Sequence, residues 1–244
     1  MRKTLVFLTL FIFFALSSAN AQWISLGGQG KDVALQGNNP WALGTDNGIY
    51  SHSNAGWQQV PGGGRGLAIA LGPNKVPWVI GTDNTIYQGT GTGWTQLPGG
   101  GRGKDIAVAG NGQPWIIGMD DGIYHFENNR WIPYPGQGRG KAIAVSPQGV
   151  PFVIGMDDGI YRGTGSGLVQ LPGAGKGKDI AVDSSGIPWI IGTDQRIYRH
   201  DGTKWNELPG GGQGVRIAID QPGVPLVLGT DRAIWQYGGG PIPS

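Results

Sequence analysis

Six aspartates, Asp46, Asp83, Asp120, Asp157, Asp194 and Asp231, recur at a constant interval of 37 residues, each in a Gly-Thr/Met-Asp turn. Four cations, Arg65, Arg102, Arg139 and Lys176, keep the same interval in Pro-Gly-rich links, and Gln29 and Gln213 hold the matching positions elsewhere. Tyr50, Tyr87, Tyr124, Tyr161 and Tyr198 each follow an aspartate by four residues, while Met119 and Met156 immediately precede two of the acids. Carboxylates accept hydrogen bonds from hydroxyls, guanidinium groups donate to hydroxyl and ring oxygens, and glycine loops let a ligand approach the backbone closely. Rings and thioethers add apolar contact for C–H faces or a methyl group. Together these groups suit a sugar.

Each group also has a plainer explanation. An aspartate in a strand-to-strand turn commonly bonds its own backbone two residues on, and an arginine beside it forms a surface pair of small energetic worth. For the aspartates alone the structural account is the better one. The cations are stronger candidates, because a turn does not require one and the change to glutamine in two copies looks like tuning. Trp78, Trp115 and Trp189 are expected in the core between sheets.

Catalysis finds little support. His52, His125 and His200 occupy non-equivalent places in the repeat, with no nucleophile–base motif or metal-ligand spacing beside them. Asp120-Asp121-Gly122 and Asp157-Asp158-Gly159 lack the remaining oxygen ligands of a calcium loop and are read as turns. With no cysteine in the chain, thiol chemistry and disulfides are excluded. The expectation is a binding protein, not an enzyme, without metal or cofactor. Carboxylates at an axis would change that, but the expected inner strands present alanine and aliphatics, with Lys and Asp only where they begin.

The elements that must position these residues follow from the repeat itself. Trp23, Trp57, Trp94, Trp131, Leu168 and Trp205 mark six copies, at spacings of 34, 37, 37, 37 and 37 residues. One copy carries four short strand candidates, Ile106-Ala-Val, Pro114-Trp-Ile-Ile, Gly122-Ile-Tyr-His and Trp131-Ile-Pro-Tyr, each bounded by turn residues. No stretch between glycines is long enough for a typical helix. A four-stranded sheet cannot bury both faces alone, so the copies must stack, around an axis or along a line.

The last copy ends at Ile234-Trp235-Gln236-Tyr237 without a Trp-x-x-Leu strand, whereas Trp23-Ile24-Ser25-Leu26 precedes the first inner strand. The expectation is therefore an all-β, six-bladed β-propeller of four-stranded antiparallel blades, closed by the N-terminal strand. Blades would begin at Lys31, Leu67, Lys104, Lys141, Lys178 and Val215. Ala34, Ala70, Ala107, Ala144, Ala181 and Ala218 mark the crowded inner strand. A fibrous β-solenoid is the architectural alternative.

Residues 1–21 carry Arg2 and Lys3, an apolar run from Leu5 to Leu16, and a small-residue ending at Ala19-Asn20-Ala21, as a secretory signal peptide does. An uncleaved membrane anchor is the alternative. The expected domain spans residues 22–244 and is secreted, or periplasmic if the source is a Gram-negative bacterium. Removing the leader takes two of 18 basic residues and no acidic one, leaving 16 of each. A balanced charge points to neither nucleic acid nor an anionic membrane surface.

The tandem Trp-x-x-Leu-Pro-Gly and Pro-Trp-Ile-Ile-Gly-Thr-Asp-x-x-Ile-Tyr copies resemble tectonin repeats, found in tectonins, tachylectin of the horseshoe-crab type and fish-egg lectins. The resemblance covers Trp23 to Tyr237. It departs at Leu168 for the opening Trp, at Phe152 and Leu226 for the inner Trp, and at Trp235 for Tyr. It implies a propeller lectin for microbial glycans, including lipopolysaccharide sugars and O-methylated monosaccharides. Arg65, Arg102, Arg139 and Lys176, with the six aspartates and Tyr87, Tyr124 and Tyr161, are its candidate ligand-binding residues. The expected product is a multivalent lectin with pockets between adjacent blades, as a monomer or weak homo-oligomer; a protein-interaction module that binds no sugar is the alternative.

Overall fold

The computed structural model describes residues 23–37, 39–219 and 224–238. The leader expected at residues 1–21 lies outside them. Short β-branched and aromatic runs between Gly, Asn and Asp turns form strands throughout. The first copy gives β1 (Trp23–Gln36), β2 (Asn39–Gly44), β3 (Ile49–Ser53) and β4 (Gly56–Gln59). The second gives β5 (Gly66–Leu71), β6 (Pro77–Gly81), β7 (Ile86–Gly89) and β8 (Trp94–Gln96). The third gives β9 (Gly103–Val108), β10 (Pro114–Gly118), β11 (Ile123–Glu127) and β12 (Arg130–Pro133). The fourth gives β13 (Gly140–Val145), β14 (Pro151–Gly155), β15 (Ile160–Gly163) and β16 (Leu168–Gln170). The fifth gives β17 (Gly177–Val182), β18 (Pro188–Gly192), β19 (Ile197–His200) and β20 (Trp205–Glu207). The last gives β21 (Gly214–Ala218), β22 (Leu226–Gly229) and β23 (Ala233–Tyr237).

All pairings between these strands are antiparallel, and the molecule is an all-β propeller. The expectation of six separate four-stranded blades is corrected. Four such sheets stand alone, β5–β8, β9–β12, β13–β16 and β17–β20, and the other strands form one seven-stranded sheet, β21-β22-β23-β1-β2-β3-β4. The cause is β1, which runs 14 residues without a chain reversal. Its first residues pair with the last strand, Trp23 opposite Tyr237 and Ser25 opposite Trp235, and its last residues pair with β2. Between these halves the register shifts, at Gly27 and Gly28 with φ of +68° and +73°. Two successive left-handed residues are cheap only for glycine.

Apolar residues of facing sheets interlock in a series of core clusters. Ala34, Trp41 and Leu43 pack with Ile69 and Val79, and Ala142, Phe152 and Ile154 pack with Ile180 and Ile190. The seven-stranded sheet folds onto itself in the same way, Val33 and Ala42 meeting Ala218, Leu226 and Ile234. Trp78, Trp115 and Trp189 are buried, as their place in the repeat implied. Each inner strand contacts the next, from β1 through β5, β9, β13 and β17 to β21, and β21 contacts β1.

Candidate functional site

Each Gly-Thr/Met-Asp segment forms a tight hairpin. In the first, Asn47 N–H donates to the Gly44 carbonyl and Gly44 N–H to the Gly48 carbonyl, with Asn47 left-handed at φ +68°. The aspartate holds this turn. Its Oδ1 accepts the N–H two residues on at 2.9–3.1 Å in all six copies. Its Oδ2 accepts the hydroxyl of the tyrosine four residues on, at 2.7–3.0 Å in the five copies that have one. The hairpin brings the phenol back over the acid. Hydrogen bonds from Gly48 and Tyr50 hold the Asp46 carboxyl below the ordinary carboxylate range, and the bond to Asp46 pushes the Tyr50 phenol up. These acids therefore already serve the turn and keep only their remaining lone pairs for a ligand.

A second recurring bond brings the cations to this turn. The first N–H of each inner strand donates to the left-handed turn residue of the preceding copy, as Gly66 to Asn47 (2.9 Å) and Gly140 to Asp121 (2.9 Å). Arg65 lies bridged to Gly48, Arg102 to Thr85, Arg139 to Gly122 and Lys176 to Gly159. Arg102 donates to the Asp83 carbonyl at 3.1 Å and Lys176 to that of Asp157 at 2.6 Å. Arg65 and Arg139 act on Asp46 and Asp120 through space. All four cations are exposed.

Behind Arg65 opens a cleft between adjacent sheets. Arg65, Gly63 and Gly64 face Thr82, Asp83, Tyr87 and Trp94 of the next copy around a space of about 360 Å³. Its counterpart at Gln29 measures about 410 Å³ with Asp46, Tyr50 and Trp57, and that at Gln213 about 220 Å³ with Trp23 and Trp235. Sequence reasoning placed the Arg, Asp and Tyr at such a cleft but missed the repeat-marking tryptophan, which forms its back wall. The available signal was the glycine seven residues after each previous Trp: a side chain at Gly64 would collide with Trp94, and one at Gly101 with Trp131.

The clefts differ in that indole. Trp57 donates to the Leu26 and Gly27 carbonyls (3.1 and 3.0 Å), and Trp23 to the Gly211 carbonyl (2.7 Å). Trp94, Trp131 and Trp205 bury their N–H without an acceptor among the described residues, and these are the ones that follow Arg65, Arg102 and Lys176. Met119 and Met156 are about half exposed, at the turn position held by Thr82 in the first cleft. The three histidines serve as ring partners of tryptophan: His52 on Trp57 (4.9 Å), His125 on Trp115 (4.9 Å) and His200 on Trp205 (4.7 Å).

One expectation about the inner strands is corrected. Asp32 and Asp179 are buried within them, and Asp32, Asp105 and Asp179 alternate with Ala68, Ala142 and Arg216. Each of these acids reaches the next inner strand, accepting the N–H of Ile69 (2.8 Å), Ile143 (2.7 Å) or Ile217 (2.7 Å). An innermost strand is a sheet edge, so its outward N–H groups need such partners. Burial pushes Asp32 and Asp105 up to about 7, Arg216 opposing it for Asp32 and the other acids adding to it for Asp105. Among the described residues no group of three or more His, Cys, Asp or Glu side chains is placed to hold a metal ion.

These features define a repeat-built β-propeller in which one cleft between sheets joins a cation, an acid–phenol pair and an indole, and two related clefts carry glutamine in place of the cation. Residues 65–156 match the model of the tectonin domain. No curated protein matches the chain. Among solved structures, a gluconolactonase from Xanthomonas campestris superposes with a TM-score of 0.69 at 14% identity, over 93% of this chain and 91% of that one. A protein of unknown function from Bacteroides thetaiotaomicron gives 0.67 at 12% identity, over 89% and 75%. YCF48 bound to a D1 peptide gives 0.61 at 16% identity, over 88% and 79%. At these identities the likeness is one of fold.

Proposed function

We propose that the protein is a secreted, multivalent carbohydrate-binding propeller, without catalytic activity, that takes microbial surface glycans in the clefts between adjacent blades. The single observation that carries this reading is the cleft of Arg65, Asp83, Tyr87 and Trp94, whose residue types recur in the sequence around the ring. An exposed guanidinium offers donors to sugar oxygens, the acid–phenol pair offers acceptors, and the indole offers an apolar wall. In this reading the seven-stranded sheet counts as the first and sixth of six blades, and the first residues of β1 act as the outer strand that fastens the last blade. O-methylated sugars and lipopolysaccharide sugars are the glycans implied by the tectonin resemblance, and the exposed Met119 and Met156 would offer contact to a methyl group.

Several weak sites engaging one surface raise avidity by roughly two to four orders of magnitude when geometry permits. The test is a glycan array that includes methylated sugars, followed by titration of single-site variants. Several similar sites, lost one at a time with Arg65→Ala, Arg102→Ala and Arg139→Ala, are expected. One large protein footprint insensitive to every sugar would favour a protein-interaction module instead.

A further inference from the structure

The Trp94 indole borders two spaces at once. One is the cleft of Arg65. The other is a groove of about 670 Å³ between the first two copies, bordered by Gln58 on β4, the Asn74-Lys75 loop, and Gln88, Gly89 and Thr90 on and after β7. It is built mainly from the loops that join the first to the second strand and the third to the fourth, with Val60 and Pro61 at the start of the link, whereas the cleft uses the aspartate turn and the later link residues Gly63, Gly64 and Arg65. Of the residues that line the cleft, Trp94 alone also lines the groove.

Comparison of the copies explains why it is open here. The third strand carries His52, Gly89, Phe126, Gly163, His200 and Tyr237 at one repeat position. Where that residue is a ring, it packs on the tryptophan of its own blade: His52 on Trp57 (4.9 Å), Phe126 on Trp131 (5.1 Å), His200 on Trp205 (4.7 Å) and Tyr237 on Trp23 (5.4 Å). At Gly163 the gap is filled by Tyr134, whose hydroxyl lies against that glycine and accepts the N–H of Gly165 at 3.0 Å. The residue matching Tyr134 beside Gly89 is Val60, which is too short to do the same. Trp94 alone among the five repeat-marking tryptophans has no stacked ring among the described residues.

We propose that this groove is a second saccharide site, for a neutral oligosaccharide. A pyranose needs an aromatic face for its C–H surface and groups that both donate and accept for its hydroxyls. Trp94 supplies the first, and the side-chain amides of Gln58, Gln88 and Asn74 with the Thr90 hydroxyl supply the second. Among the described residues no carboxylate borders the groove and Lys75 is its single cation, so an ionic ligand would find little counter-charge. Its volume falls in the range of small-ligand sites, roughly 300–1,000 Å³.

The experiment titrates the full chain with maltotetraose, mannotetraose and chitotetraose while following the Trp94 indole N–H resonance. A saturable shift is expected in the parent protein and in Arg65→Ala. At least a tenfold weaker response is expected in Gly89→Phe, which restores the missing ring, and in Gln58→Leu/Gln88→Leu, which keeps the groove open but removes its amides. Should Gly89→Phe fold poorly against Pro77, the double variant decides alone. A shift lost in Arg65→Ala but kept in the double variant would place the sugar in the cleft only, overturning this proposal while sparing the first. Absence of a response to all three saccharides would overturn it as well.

Discussion

The two clefts at the seam, beside Gln29 and Gln213, and the cleft of Arg65, on the arc of copies that keep a cation, are built from the same repeat, yet they use it differently. At the seam, Gln29 and Gln213 replace the cations, Trp57 and Trp23 spend their indole N–H on link carbonyls, and β1 passes continuously from one half of the sheet to the other. On the arc, cations stand exposed, and the buried indole N–H groups of Trp94, Trp131 and Trp205 have no acceptor among the described residues. The indole N–H is thus bonded at the seam and buried without a partner on the arc, and exposed charge at the link varies with it, Arg or Lys against Gln. The difference teaches that sequence-equivalent clefts need not share the same charge or indole bonding, and under the proposed function it ranks the arc above the seam as the place for ligand.

The largest effect expected from breaking this comparison comes at the seam. Deleting Trp23–Leu26 removes the strand paired with β23, and Trp23→Ala alone should cost about 3 kcal/mol, roughly 10 °C in Tm, by thermal denaturation. Leaving Tm unchanged would show that the terminal pairing does not fasten the ring. Next comes Gly101→Ala on the arc, where a methyl group would collide with Trp131. A loss of about 1–3 kcal/mol is expected in denaturant unfolding, with weaker sugar binding at that cleft.

Arg65→Ala should sharpen the contrast by separating stability from binding. The side chain is exposed, so stability should stay within about 0.5 kcal/mol while calorimetric affinity at that cleft falls roughly tenfold. Gln213→Arg asks the converse question: gain of one sugar site would show that the cation alone separates the two classes, and no gain would assign the difference to the bonded Trp23 indole or to Trp235, which stands where the other copies carry tyrosine.

The smallest expected effect concerns the inner strands that both regions share. Asp105 has a folded pKa of about 7, above its ordinary value of 3.8, because burial and the neighbouring acids disfavour its charge. Folding thus favours the protonated acid, so this contribution is complete below about pH 4 and is lost as pH rises through 7. Asp105→Asn, which keeps an acceptor for Ile143 N–H, should raise Tm by a few degrees at pH 8 relative to its effect at pH 4, where the acid is protonated in the folded chain. An equal shift at both pH values would show that the carboxylate is not titrating in this window.

Much of the site was legible because a repeat is its own control. Constant spacing separated the invariant aspartates from the varying Arg, Lys and Gln, and that variation pointed to the links. The turn role favoured for Asp46 and its counterparts is what the hydrogen bonds show. The tyrosines were read only as apolar walls, since a four-residue offset says nothing of a hairpin that folds the phenol back onto the acid. Asp32, Asp105 and Asp179 were placed at the strand beginnings, because alternation with alanine has meaning only once neighbouring inner strands are known to touch.

By itself the sequence determined the strand class, the repeat, the turn chemistry and the identity of the residues beside each link. These depend on contacts within one copy, where neighbours in the chain are neighbours in space. Tertiary structure alone decided which residues of adjacent copies share a cleft, which indoles find an acceptor, and that the first and last strands form one continuous sheet. Those outcomes depend on distances between copies, and small differences such as Gly89 for a ring or Val60 for Tyr134 change the space between blades without disturbing the pattern within any of them.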